Sequence, residues 1–433
     1  MEIHILPKRE EWEQLLCRDA VASVHEETAK IVADIFDNVA QKGDIAIKDY
    51  ERRFTGASRY SLRISEDEIS EAVNLVSEEL REAINQAASN IATFHKAQMM
   101  CPVEVETMAG VVCKQRQVPI DIVGLYVPGG NSPLFSTILM LGVPARIAGC
   151  RKIVMATPAG ADGKVNPAIL YAAQVAGVTD VYAIGGAQAI AAMAMGTESV
   201  PRVYKIFGPG NRFVMEAKQL ACYRHGTALD MPAGPSEVMV IADRAASPAF
   251  IASDFLSQAE HGPDSQSILL TDSEEVLDAT IKEVEKQLLS LPRREMMGKS
   301  LEHSRLIQLG SMEEIVEFAN AYASEHLIIN TTDADAVAER IKSAGSVFIG
   351  QWSTESAGDY ASGTNHTLPT SGYATAYSGV NLDSFCKKIT YQRLTPDGIR
   401  TLAQTVITMA KAEGLDAHSR AMEIRKEALD KLC

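Results

Sequence analysis

The sequence predicts an α/β protein: two domains built on open, mostly parallel sheets, with helical extensions at the N- and C-termini. Three observations carry that reading. From 120 to 235, and again from 236 to 350, short apolar runs alternate with segments of helical spacing, as repeated βα units do. The runs are almost continuously apolar, which strands covered on both faces require. At 433 residues the chain also exceeds what one hydrophobic core usually serves.

The elements follow in order. Residues 1 to about 120 read mainly as helix, with helical spacing over 26–41 and 66–98 and a turn near Gly56. MAGVVCKQRQVP (108–119) then alternates like a pair of strands. The strands IVGLYV (122–127), KIVMATPA (152–159), DVYAIGG (180–186) and VYKIFGPG (203–210) each lead into a helical segment, the first of them the apolar STILMLGVPARIAG (136–149). A second series places strands at 236–243, 266–272, 326–330 and 346–350, with helices near 247–260, 273–290, 312–323 and 332–344. Residues 351–380 read as a loop rich in Gly, Ser and Thr, and 381–433 as a mostly helical tail. The expected division is an arm over 1–24, a first α/β domain from 25–121 with 236–380, a second over 122–235, and the tail.

Composition narrows the function. A hydrophobic fraction of 46% with 22% charged residues excludes wholesale disorder. The net charge of −15 argues against nucleic acid, whose phosphates need clustered Lys and Arg. MEIHILPKREEWEQ places charges where a signal peptide needs an apolar core, and no apolar run reaches membrane-spanning length. Cys17, Cys101, Cys113, Cys150, Cys222, Cys386 and Cys433 are scattered and form no CxxC pair. They fit reduced structural thiols of a cytoplasmic protein, and nothing near Cys113 or Cys150 would activate a nucleophile.

The candidate chemistry is spread along the chain. Ser247 and Pro248 suit the N-cap and first turn of a helix that ends near Gln258 and His261, a pair at i, i+3. Such a pair offers two metal ligands from one rigid element, or simply decorates a surface. Glu325 and His326 stand at the entry of a strand, where they could share proton transfer or cap a junction. The loop WSTESAGDYASGTNHTLPTSG carries Glu355, Asp359 and His366 and reads equally as a site wall or a linker. Glu413 and His418 read, by spacing alone, as helix surface. Glycine turns at 128–130, 185–186 and 208–211 allow close backbone approach to a ligand, but GPGNRF completes only half of a GxGxxG fingerprint.

Together, GLYVPGG, IGGAQAIAA, KIFGPGN, DMPAGPSEV, DFLSQAEHGPDSQ, SEHLII, ESAGDYASGTNH and EGLDAH resemble the signatures of the histidinol dehydrogenase family, in the same order, from about residue 20 to 433. The resemblance implies two Rossmann-like domains, NAD as cofactor and one zinc ion per subunit. It puts the zinc ligands on Gln258, His261, Asp359 and His418, and proton transfer on Glu325 and His326. Ser236, His366 and Glu413, with Gln258, His261, His326, Asp359 and His418, fall on positions that contact substrate. Tyr126, Gln188 and Asn211 fall on NAD contacts.

The implied reaction is the four-electron oxidation of L-histidinol, through bound L-histidinal, to L-histidine. The implied assembly is a homodimer in which the tail of one chain completes the other's site. Three rivals remain at this point: a zinc hydrolase using Glu325 as base, a non-catalytic metal-binding protein, and a homologous zinc/NAD dehydrogenase for a different small amino alcohol or diol. The presence of His366 and Glu413 argues against the last, because a substrate lacking imidazole and amine would not need them.

Overall fold

A computed structural model describes residues 1–18, 25–129, 133–232 and 234–431. Gly130 of the PGG turn, Ala233 of DMPAGPSEV, Cys433 and residues 19–24 of the expected arm lie outside the described residues. The two βα series form two parallel sheets. The larger has six strands in the order Glu2–Ile5, Arg305–Gln308, Gln266–Thr271, Glu237–Ala242, His326–Asn330 and Ser346–Ile349. The smaller has five, in the order Asp180–Ala183, Lys152–Thr157, Ile122–Tyr126, Lys205–Phe207 and Ala228–Leu229. Every neighbouring pair in both is parallel.

The unbroken apolar runs have a direct cause. Successive side chains of a strand point to opposite faces, and helices cover both faces of each sheet. Val123, Leu125, Ile153 and Met155 enter one core cluster while Tyr126, Val154, Ala156 and Ile206 enter another. In the larger sheet Met239, Ile241, Ile268 and Leu270 separate in the same way from Val238, Val240, Leu269 and Ile328.

The chain divides into two compact units, one of Met1–Ala97 with Ile120–Phe385, the other of Gln98–Pro119 with Cys386–Cys433. Both parallel sheets belong to the first. The second contains an antiparallel sheet of Val103–Met108, Val111–Pro119 and Cys386–Leu394, followed by helices Pro396–Ala412 and Asp416–Asp430.

Several elements differ from expectation. The N-terminus begins with a strand, Glu2–Ile5, held at the sheet edge by pairing with residues over 300 positions away, which no local pattern reveals. Arg305–Gln308 is too short to show a period. The expected helix over 66–98 is two helices, Glu66–Val73 and Glu78–Lys96, because Ser77 caps a new start by accepting from the Leu80 N–H. The tail opens with a nine-residue strand, Cys386–Leu394, paired along its whole length with Val111–Pro119. The expected loop over 351–380 contains a helix, Glu355–Tyr360. Its Ser, Gly and Asp are poor helix formers, and a tertiary bond from Thr354 Oγ1 to Asp254 Oδ1, 2.9 Å, holds its start.

The turn after Phe207 is fixed from below. Gly208 has φ +126°, and a Cβ there would lie 2.0 Å from the Tyr126 carbonyl oxygen. Its N–H donates to Asp230 Oδ2 (2.8 Å) and its carbonyl accepts from Lys218 Nζ (2.9 Å). Lys218 and Asp230 also form a direct ion pair, both side chains 2% exposed. Lys218→Met should cost about 3–5 kcal/mol, because it leaves Asp230 charged and unpaired in the interior. A urea melt checks this; an unchanged midpoint would refute it.

Candidate active site

Helix Met312–Tyr322 ends at Ala323, which has φ +53° and returns its N–H to the Ala319 carbonyl. The chain then turns directly into the strand His326–Asn330. Glu325 and His326 are thereby set at the amino edge of the larger sheet, both buried. Glu325 Oε2 accepts the N–H of Glu237, the first residue of the adjacent strand (3.0 Å). His326 Nδ1 lies 3.4 Å from the Glu237 carbonyl, 3.6 Å from Glu325 Oε2 and 3.7 Å from Glu355 Oε1. On the other side of the ring, Nε2 is 3.3 Å from Asp359 Oδ1, although neither atom has a partner in hydrogen-bond geometry.

Two further elements meet this edge. Helix Pro248–Ala259 begins as expected at Ser247, though the serine hydroxyl makes no cap bond. Its last turn carries Gln258, whose amide is completely buried with neither nitrogen nor oxygen partnered. His261 follows just past the helix end, exposed, with Nε2 3.6 Å from Asp359 Oδ2. Helix Glu355–Tyr360 presents Glu355 and Asp359 on one face at i, i+4. His366 Nδ1 bonds to the Asp359 carbonyl (2.8 Å), and its Nε2 lies 3.3 Å from Thr137 Oγ1. Half-buried Ser236 directly precedes Glu237.

One ligand atom each from His261, Glu355 and Asp359 lie within 4.8 Å of one another. Glu355 is 1% exposed with both oxygens unpartnered, and Asp359 Oδ1 is also orphaned. Buried polar atoms without partners are rare and costly. Here they surround a point where nitrogen and oxygen donors converge, so the residues fit a divalent cation.

Tyr126, Gln188 and Asn211 line a separate cavity of about 1490 Å³ beside the carboxyl edge of the smaller sheet. Such a volume exceeds the ~300–1,000 Å³ usual for small-molecule and cofactor sites. Tyr126 Oη accepts the Gly186 N–H (2.9 Å), and Asn211 caps helix Arg212–His225 through the N–H groups of Phe213 and Val214. In the second unit, Glu413 ends helix Pro396–Ala412 and His418 lies in the first turn of Asp416–Asp430; both are exposed.

The family model described as histidinol dehydrogenase matches residues 19–426. A protein named histidinol dehydrogenase from Bacteroides thetaiotaomicron is 53% identical over 429 residues, 99% of this chain and 100% of its own length. The one from Escherichia coli O6:H1 is 52% identical, covering 97% of this chain and 96% of its own. The chain belongs to the histidinol dehydrogenase family. A crystal structure of histidinol dehydrogenase from Elizabethkingia anophelis matches it with a TM-score of 0.97 at 49% identity, covering 99% of each chain. Members of this family are oxidoreductases of histidine biosynthesis, so the expected family, fold class and enzyme class all hold. Among the described residues no helix is long and apolar enough to cross a membrane.

The electrostatics of this family member's site follow from its burial. Desolvation pushes the Glu325 carboxyl up to about 7, even though His326 pulls it back. Burial would lower His326, but Glu355, Glu325 and Asp359 outweigh it and lift the imidazole to about 10. Desolvation likewise raises Glu355, whereas Asp359 is held low by His326 despite its burial. Three carboxylates around one imidazole make a pocket that favours positive charge.

Two residues near these sites are given no role by the resemblance. Glu355 belongs to the loop that reads equally as a site wall or a linker, and its spacing of four from Asp359 is the available signal. Glu51 is buried beside the cavity lined by Tyr126, Gln188 and Asn211 and accepts from the Gly185 N–H (2.9 Å) and Gln188 Nε2 (2.8 Å). Nothing in the charged run around it distinguishes it.

Proposed function

We propose that the chain oxidises L-histidinol to L-histidine, using two NAD and one water per turnover and keeping L-histidinal bound between the two oxidations. The observation that carries this is the buried Glu325–His326 pair beside unpartnered cation-binding donors, in a chain 53% identical to a named histidinol dehydrogenase.

Gln258, His261 and Asp359 would hold zinc, with His418 supplied by a second copy of the chain. The metal, when bound, anchors the substrate's imidazole and amine. Tyr126, Gln188 and Asn211 would hold NAD, which supplies the hydride acceptor in both oxidations. Ser236 and His366, with Glu413 supplied like His418 by a second copy of the chain, would fix the rest of the substrate, setting the reacting carbon in position and lowering the entropic barrier. With its neighbouring carboxylates offset by a bound cation, His326 would take the alcohol proton as the first carbon–hydrogen bond breaks. Glu325 takes a proton from the water that adds to the aldehyde carbon. As the water adds, His326 returns its proton to the aldehyde oxygen, and it then accepts the hydroxyl proton of the hydrate as the second carbon–hydrogen bond breaks. Burial of both residues excludes bulk water while the aldehyde is present.

In the same reading, 122–235 binds NAD, 25–121 with 236–380 carries most of the zinc and catalytic site, and the tail from 381 reaches a partner's site in a homodimer. Exposed Val103, Val105, Met409, Leu415 and Ile424 in the second unit support such pairing. We place the enzyme in the cytoplasm.

NADH formation from histidinol, with and without a chelator, tests the proposal. Two NADH per histidinol are expected, with the signal lost on chelation and restored by zinc. Absence of any NAD reduction would favour a hydrolase, and one NADH per substrate would favour a simple alcohol dehydrogenase.

A further inference from the structure

We propose that Arg18 is a positioning residue for the Glu325–His326 pair, acting through Glu237; this rests on the assignment of that pair to proton transfer. The peptide group of Glu237 touches both members. Its N–H donates to Glu325 Oε2 (3.0 Å) and its carbonyl lies 3.4 Å from His326 Nδ1. Any displacement of this one peptide moves a contact of each.

The Glu237 side chain is locked from behind. Arg18 donates from Nε to Oε2 and from Nη2 to Oε1, both at 2.8 Å. The Ser371 N–H donates to Oε1 (3.1 Å), and Tyr322 Oη lies 3.1 Å from Oε2. A buried carboxylate is tolerated only when its charge and lone pairs are matched this way, and the planar guanidinium fork does so with fixed geometry.

Many buried ion pairs are merely structural, but this one reaches the pair along a second route. Arg18 Nη2 also donates to the Tyr322 carbonyl (2.8 Å), and the guanidinium lies 3.8 Å from the centre of the Tyr322 ring. Tyr322 stands three residues before Glu325, across the left-handed turn at Ala323. One guanidinium therefore holds both backbone segments that set the pair: the start of strand Glu237–Ala242, whose first peptide contacts both side chains, and the turn entering His326–Asn330, which carries them. Neither Arg18 nor Glu237 is needed to touch substrate.

The test compares Arg18→Ala and Arg18→Lys with Glu325→Gln and His326→Asn in the zinc-loaded enzyme. Arg18→Ala should lower kcat by roughly 100-fold, the scale set by ångström-size misplacement of reacting groups. KM for NAD and zinc content should stay unchanged, and added guanidinium should restore part of kcat. If Arg18→Ala does not fold, Arg18→Lys decides: it keeps the charge but loses the fork, so reduced kcat with normal NAD binding supports the proposal. Wild-type kcat in whichever variant folds would overturn it, as would a loss seen only in KM or in zinc content. If Glu325→Gln and His326→Asn are themselves active, the underlying assignment fails, independently of Arg18.

Discussion

His326→Asn is expected to slow both oxidations by roughly 100- to 10,000-fold, the usual contribution of a general acid–base. Asn has similar reach but cannot accept and release a proton. Glu325→Gln is expected to behave differently. Proton removal from the alcohol needs only His326, so conversion of histidinol to histidinal should be largely spared. Hydration of the aldehyde needs a base for water, and oxidation of supplied histidinal should fall steeply. Single-turnover measurements started from histidinol and from histidinal separate the two steps. Equal losses in both half-reactions for Glu325→Gln would sink this division of roles. Zinc content must be measured in parallel, because Asp359 lies 3.3 Å from His326.

A second large effect concerns assembly. Gln258→Ala and His418→Ala are each expected to be nearly inactive, since each removes one proposed ligand from every site. Mixed under conditions that exchange subunits, they should recover activity. A heterodimer of the two pairs the unaltered Gln258 of one chain with the unaltered His418 of the other and so rebuilds one intact site. Two variants altered on the same side, Gln258→Ala with Asp359→Ala, should show no recovery. Failure of the first mixture, with subunit exchange demonstrated, would place His418 in its own chain's site or outside the site altogether.

Much of the fold was legible because burial on both faces writes itself into the chain. IVGLYV, KIVMATPA and HLIIN can hardly be anything but covered strands. What escaped detection depends on distant partners. Cys386–Leu394 is a strand because Val111–Pro119 lies beside it, and Glu2–Ile5 because Arg305–Gln308 does. The site divides the same way. Gln258 with His261, and Glu325 with His326, are close in sequence and could be named, yet their spacing alone did not separate function from surface decoration; the quoted motifs did. Glu355 becomes visible only when a helix forms inside a segment that reads as loop. The Arg18–Glu237 contact joins positions 219 residues apart, beyond any local pattern.

The opposite ends of the two sheets have an electrical consequence. Helices returning to the amino edge of a parallel sheet arrive by their carboxyl ends, whose unpaired carbonyls carry partial negative charge. Gln258 and His261 sit at such an end, so the backbone itself adds to the attraction for a metal ion. At the carboxyl edge of the other sheet, helices Gly186–Met195 and Arg212–His225 begin beside Tyr126 and Asn211 with their positive ends, the polarity that a dinucleotide's diphosphate prefers. Before any side chain is chosen, the direction of the strands sets a field that would favour a cation at the amino edge of one sheet and an anion at the carboxyl edge of the other.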